Sequence, residues 1–199
     1  MHCLPPELVE APTVKPISLV EAKAHLRVDH GLDDALIERA IDVAIGHLDG
    51  YGGILGRALM AQRWRQFFPF WPASRCLPLR LAPAVSIVEI RVRAPDGGES
   101  VLDPAGYRLL SGASRPQALF PASASLTAAA CDPDAIAVTY EAGYGAEPDK
   151  VPAPIRQAML LMVGDMYRFP ETIVLGQSSA PPMSTTVDRL LAPYRRILL

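Results

Sequence analysis

The residues able to do chemistry are few and scattered. Gly50 to Gly56 reads GYGGILG. A glycine-rich turn cradles phosphate when it follows a strand, opens a helix and carries the third glycine or a Gly-Lys-Ser/Thr ending. Here Leu55 stands where the third glycine belongs, no such ending follows, and the stretch comes after a helical pattern. The glycines therefore read as a helix stop. His25 and His30 are five apart, which does not place them on one helical face, and no third ligand lies nearby. Cys3, Cys76 and Cys131 lack metal-ligand spacing. There is no G-x-S-x-G elbow for a serine nucleophile. Asp29, Asp33 and Asp34 cluster, but acids at 33 and 34 suit a helix start. An enzyme would need convergent polar groups, and none can be assembled. The expectation is a non-enzyme with no catalytic residue, metal or cofactor.

Three groups of side chains suggest contact rather than catalysis. Residues 57–93 carry seven arginines against one acid, Glu89, whereas residues 1–56 hold four basic and nine acidic side chains. Residues 94–151 are net −5 and 152–199 net +2. Arg63, Arg65, Arg91 and Arg93 lie on strand-like stretches, with Trp64, Phe67, Phe68, Phe70 and Trp71 in the same segment. Such a mixture can hold phosphates and stack bases, which makes these four arginines candidate DNA-facing residues. The simpler reading is a strand face paired to acidic neighbours, with the rings buried by alternation. The net charge of −2 excludes a polycation that coats nucleic acid. Met159, Met162 and Met166 form a methionine stripe, read first as core packing and second as an adaptable subunit contact. Val187, Leu190, Leu191 and Tyr194 form an apolar stripe near the C-terminus, accompanied by Arg189, Arg195 and Arg196.

The elements that must position these groups centre on Val151–Phe169. Pro152 and Pro154 suit a first helical turn. Ile155, Ala158, Met159, Met162, Val163, Met166 and Tyr167 recur three and four apart, and Leu160 and Leu161 widen the apolar surface. A stripe that wide predicts a helix covered on more than one side, with Met159, Leu160, Leu161 and Met162 as candidate subunit contacts. Ile136, Val138 and Tyr140 alternate as in a half-buried strand, and Gly143 and Gly145 mark the turn after it. Upstream, residues 1–16 carry four prolines and read as an extended arm. Ser18 and Glu21 form a capping box before a short helix. Asp33 caps a second helix with Leu36, Ile37, Ala40, Ile41, Ala44, Ile45 and Leu48 as its stripe. Residues 57–145 read as one antiparallel sheet. In its clearest strand, Val88, Ile90 and Val92 point one way while Glu89, Arg91 and Arg93 point the other. Residues 113–134 read as a loop and 176–184 as a flexible linker isolating the C-terminal end. The fold class is α+β.

At 199 residues, half of them apolar, the chain is long enough for one domain with arms. Three scattered cysteines fit reduced thiols. The first residues lack a secretory pattern, and no apolar run approaches the roughly 20 residues of a membrane span. A soluble protein of a bacterial cytosol is expected, with no membrane partner.

The ordered set ISLVEAKAHLRVD, DDALIERAIDVA, GRAL, a strand block, VTYEAGYG, VPAPIRQAMLLMVGDMY and LLAPYR resembles the head–tail connector (adaptor) proteins of long-tailed bacteriophages and phage-like gene transfer agents. The likeness runs from Ile17 to Arg196. It implies a helical bundle of about four helices, 17–56 and 152–170 among them, with an antiparallel β-rich insertion over 57–145. It also implies a homo-oligomeric ring, commonly of twelve subunits, beneath the portal protein at one capsid vertex. A neighbouring neck or tail protein would lie below, and DNA would pass through the bore. The connector domain would span 17–175. Residues 176–199 would be linker and docking segment, with Val187, Arg189, Leu190, Leu191, Tyr194, Arg195 and Arg196 as candidate portal contacts. The long arm and the large strand block depart from the simplest members. The alternatives are a neck stopper or tail-terminator ring protein, or a small nucleic-acid-binding protein using the arginines of 57–93.

Overall fold

The computed structural model describes residues 4–111, 115–122, 132–169 and 185–196. The chain divides into two compact units. A helical unit comprises residues 14–56 and 145–199, and a strand unit comprises residues 1–13 and 57–144.

In the helical unit, α1 (Leu19–Leu26), α2 (Asp34–Leu48) and α4 (Thr185–Leu191) all pack on α3 (Ala153–Arg168). The α1 start is the predicted one: the Ser18 hydroxyl accepts from the Glu21 N–H at 3.1 Å. The rest of the capping reading is corrected. The Glu21 carboxylate accepts from Arg156 Nη2 on α3 at 2.6 Å. Asp33 makes no cap with its side chain and instead accepts from the Tyr167 hydroxyl at 2.6 Å. A charged or long partner on α3 outcompetes a local N–H, so both acids tie helices together rather than end them. The Tyr167 bond, with partial desolvation and the Asp33 charge adding to it, holds the phenol above its usual pKa. On α2, Ile37, Ala40, Ile41, Ala44 and Leu48 are buried, while Leu36 is exposed. The glycines after α2 do stop it. The Ile54 N–H turns back onto the His47 carbonyl at 2.9 Å, and a Cβ on Gly53 would sit 2.4 Å from the Leu48 carbonyl oxygen.

In the strand unit there are two antiparallel sheets where one was expected. The larger, ordered β1-β2-β8-β4-β5, uses β1 (Glu7–Glu10), β2 (Gln62–Phe68), β4 (Ala84–Arg93), β5 (Glu99–Val101) and β8 (Ile136–Ala142). The smaller, ordered β3-β7-β6, uses β3 (Cys76–Pro78), β6 (Arg108–Leu110) and β7 (Gln117–Leu119). Trp64, Leu77, Leu79, Leu81, Ile90, Phe120, Ile136, Val138 and Tyr140 form the core of this unit. Gln66 spans it: its amide donates to the Pro78 carbonyl at 2.9 Å and accepts from the Arg80 N–H at 2.8 Å. A buried amide satisfied on both ends fixes which strands meet.

Three strand-level expectations change. Residues 7–10 of the arm pair with β2 as a fully exposed edge strand. The β4 alternation breaks at Val88: the register slips between Ile87 and Glu89, so Ile87 packs on the core and Val88 is exposed. A bulge of this kind re-aims side chains, which strict period-2 counting misses. Within the stretch read as a loop, β7 carries the buried Ala118 and is followed by the buried Phe120. The 176–184 linker lies outside the described residues.

Candidate interaction surfaces

The C-terminal stripe is divided between core and surface. Val187 and Leu191 have no exposed area and pack with α4 against α3. Arg195 donates to Asp188 Oδ1 at 2.6 Å, and the Arg196 N–H donates to the Leu55 carbonyl at 3.1 Å beside the positive-φ Gly56. The segment is therefore anchored in its own helical unit, contrary to the expectation that its apolar face has little to pack on there. The i, i+4 pair Val187 and Leu191 faces inward, leaving Arg189 exposed and Leu190 and Tyr194 partly so.

On α3, Met159 is fully buried and Leu160 and Met162 nearly so, which fits the core reading of the methionines. Of the four candidate subunit contacts, Leu161 keeps the most surface. It borders a cleft of about 420 Å³ with His25, Arg27, Gly164, Asp165 and Arg168.

The strand pairing brings Arg63, Arg65, Arg91 and Arg93 onto the outer face of the larger sheet. Arg63 pairs with Glu10 and Glu141, each at 3.0 Å. Arg91 pairs with Glu89 at 2.9 Å, and Arg93 with Asp134 at 2.9 Å and Glu99 at 3.6 Å. Arg65 donates to the Thr139 hydroxyl at 3.5 Å. Arg65, Arg91 and Arg93 with Phe67 border a shallow cleft of about 210 Å³ over Ala135 and Ala137. The acids come from β1, β4, β5, β8 and the turn at Asp134; Glu10, Asp134 and Glu141 are remote in sequence from their arginines, whereas Glu89 and Glu99 lie within six residues of theirs. Paired arginines hold phosphate weakly, because each contact must first break an existing one. The Glu141 carboxyl is held below its usual pKa, chiefly by the Ser86 hydroxyl at 2.9 Å and then by Arg63.

Among the described residues there is no group of three or more His, Cys, Asp or Glu placed to hold a metal. Among those same residues, no helix is long and apolar enough to cross a membrane.

No protein-family model and no curated protein matches the sequence. Solved structures do match, from end to end. A chain in the neck of an empty GTA particle computed with C6 symmetry has a TM-score of 0.77 at 21% identity, covering 98% of this chain and 96% of that one. A chain in the virion of a native gene transfer agent (GTA) particle has a TM-score of 0.75 at 22% identity, covering 98% and 97%. A chain in the neck of a native GTA particle computed with C12 symmetry has a TM-score of 0.68 at 20% identity, covering 97% of each. This chain has their fold.

The shared fold draws attention to surfaces the sequence reading passed over. Leu32 is 90% exposed, and Leu36 and Val43 of α2 are exposed on the side turned away from the buried stripe. The signal was available: Leu32, Leu36, Arg39 and Val43 recur at steps of four, three and four. The buried stripe, being longer, masked it.

Proposed function

We propose that this chain is a structural head–tail connector. It forms a ring beneath the portal of a phage-like particle, joins the head to a neighbouring neck or tail protein, and lets DNA pass through its bore. The observation that carries this reading is the end-to-end likeness to chains of gene transfer agent particles, two of them from necks. Computation of those necks with C6 and C12 symmetry favours a ring of twelve copies. The order of helix and strand motifs from Ile17 to Arg196 favours an adaptor over a stopper or tail terminator. The outer sheet face supports DNA passage rather than DNA capture, since most of its arginines are paired. The protein would be made in the bacterial cytoplasm and end in the particle neck, acting by assembly and not by turnover.

The test is removal of the chain from a particle-producing cell, followed by electron microscopy of the lysate. DNA-filled heads separate from finished tails are expected. Normal joined particles would overturn the proposal.

A further inference from the structure

The helical unit holds a cleft of about 420 Å³ between the C-terminal ends of α1 and α3. Leu26 and Leu161 give it apolar surface. A Cβ on the buried Gly164 would already lie 3.8 Å from His25 Nε2 and from Leu26 Cδ2, so a larger side chain there would occupy the cleft. Two guanidiniums reach it from separate elements. Arg27 is the left-handed residue that caps α1, and Arg168 is the last residue of α3. Both are exposed, and neither side chain has a hydrogen bond or ion pair among the described residues. Asp165 is likewise exposed and unpaired, although it stands three residues before Arg168.

Two guanidiniums against one carboxylate leave the cleft with an excess of one positive charge. The carbonyls at the two helix ends lower that excess further. A single carboxylate matches it, whereas a run of phosphates would overshoot. Guanidinium forks hold a carboxylate in paired hydrogen bonds, and the leucine surface favours an acid that sits beside apolar side chains.

The chain itself exposes such a group. Outside the cleft, the exposed acids with neither hydrogen bond nor ion pair among the described residues are Glu7, Asp29, Glu38, Asp132 and Asp149. Of these, Glu7 alone is followed directly by exposed large apolar side chains, Leu8 at 48% and Val9 at 47%. All three belong to β1, the edge strand of the larger sheet, on which no side chain is buried. Glu7 stands across from Arg65 in register but forms no ion pair with it. An edge strand has one side without a partner strand and can present its residues to another chain. A ring contact is heterologous, so one chain must offer two different faces that fit one another. A net-positive cleft with an apolar floor and an acidic, apolar edge strand are two such faces.

We propose that the cleft between α1 and α3 receives β1 of the next copy of the chain. The Glu7 carboxylate lies between Arg27 and Arg168, and Leu8 and Val9 cover Leu26 and Leu161. This rests on the ring reading above and names its subunit contact. It also gives a role to the two apolar residues of a strand that buries nothing in its own sheet.

The experiment uses two full-length chains, each with Cys3, Cys76 and Cys131 replaced by serine, one carrying Val9→Cys and the other Asp165→Cys. They are mixed under ring-forming conditions and oxidised. A disulfide joining the two different chains is expected, and pairing within one chain cannot produce it. In parallel, Glu7→Arg and Arg168→Glu should each weaken ring assembly about tenfold, and the double variant should restore it. All four positions are exposed, so folding, checked by circular dichroism, should be retained. Rings that form at wild-type yield in both single reversals overturn this contact and leave the ring reading intact. Crosslinks confined to chains carrying the same cysteine overturn it as well. Arg168→Glu rings that form normally but no longer bind added portal assign the cleft to the portal and overturn it. Arg168→Glu rings that form normally but lose binding of duplex DNA assign the cleft to phosphate and overturn it. Failure of the wild-type chain to form rings, alone or with portal, overturns the ring reading and this contact together.

Discussion

The anchoring of α4 can be tested by comparing Leu191→Ala with Leu190→Ala. The two leucines are adjacent, but Leu191 is fully buried against α3 whereas Leu190 is partly exposed. Truncating a fully buried leucine costs about 2–5 kcal/mol, the transfer loss plus the cavity left behind. Truncating a partly exposed one costs about 0.5 kcal/mol. The helix has seven residues, too few to persist alone in water, so the loss at Leu191 should release all of α4 rather than reshape it. A cost near 3 kcal/mol raises the undocked population roughly a hundredfold. Because the chain has two compact units, a global melt would mix their responses. Hydrogen exchange read on the peptide covering 185–196 isolates the effect. Leu191→Ala should lose most of that protection while the strand unit, residues 57–144, keeps its own, and Leu190→Ala should change neither. Equal exchange in the two variants would refute the claim that α4 is held by its own α3.

Other perturbations follow from particular atoms. Gly143 has φ +129°, and a Cβ there would lie 2.2 Å from the Met60 carbonyl oxygen, so Gly143→Ala should cost about 2 kcal/mol or more in urea unfolding. Gly106→Ala, where an added Cβ meets nothing within 4 Å, is the near-neutral control. The Glu141 carboxyl is held below its ordinary 4.5 by Ser86 and Arg63, so its stabilisation is present above that value and is lost as pH falls through the lower folded pKa. Glu141→Gln should therefore lower stability at neutral pH and flatten the acid limb of a pH–stability curve. Tyr167 is held above its ordinary 10.0 by the bond to Asp33, so its contribution is full below that pH and is lost as pH rises through the folded pKa. The stability gap between wild type and Tyr167→Phe should stay constant through neutral pH and close under alkali.

Legibility in the sequence followed the range of the interaction. Ser18 and the Gly50–Gly53 stop were legible because their partners lie within a few residues. Glu21 and Asp33 were misjudged because their partners, Arg156 and Tyr167, are more than 130 positions away and a local cap was the nearest explanation. The β4 bulge at Val88 adds one residue to a pattern that counts in twos, so Val88 was placed on one face with Ile90 and Val92 although it is exposed. β7 is three residues between Pro116 and Pro121, too short to show alternation. The split of seven candidate C-terminal residues into buried and exposed sets needed the position of α3, which no local window contains. The pairing of the arginine face was foreseen in kind, though three of its five acids, Glu10, Asp134 and Glu141, lie far from their arginines in sequence.

The central claim is that this chain builds the ring between head and tail. Electron cryomicroscopy of the purified protein mixed with its particle's portal tests it most directly. The account predicts a closed ring on the portal's lower face, with twelve copies around a bore wide enough for duplex DNA. Monomers or closed dimers that leave the portal bare, at concentrations where the portal itself is assembled, would contradict it.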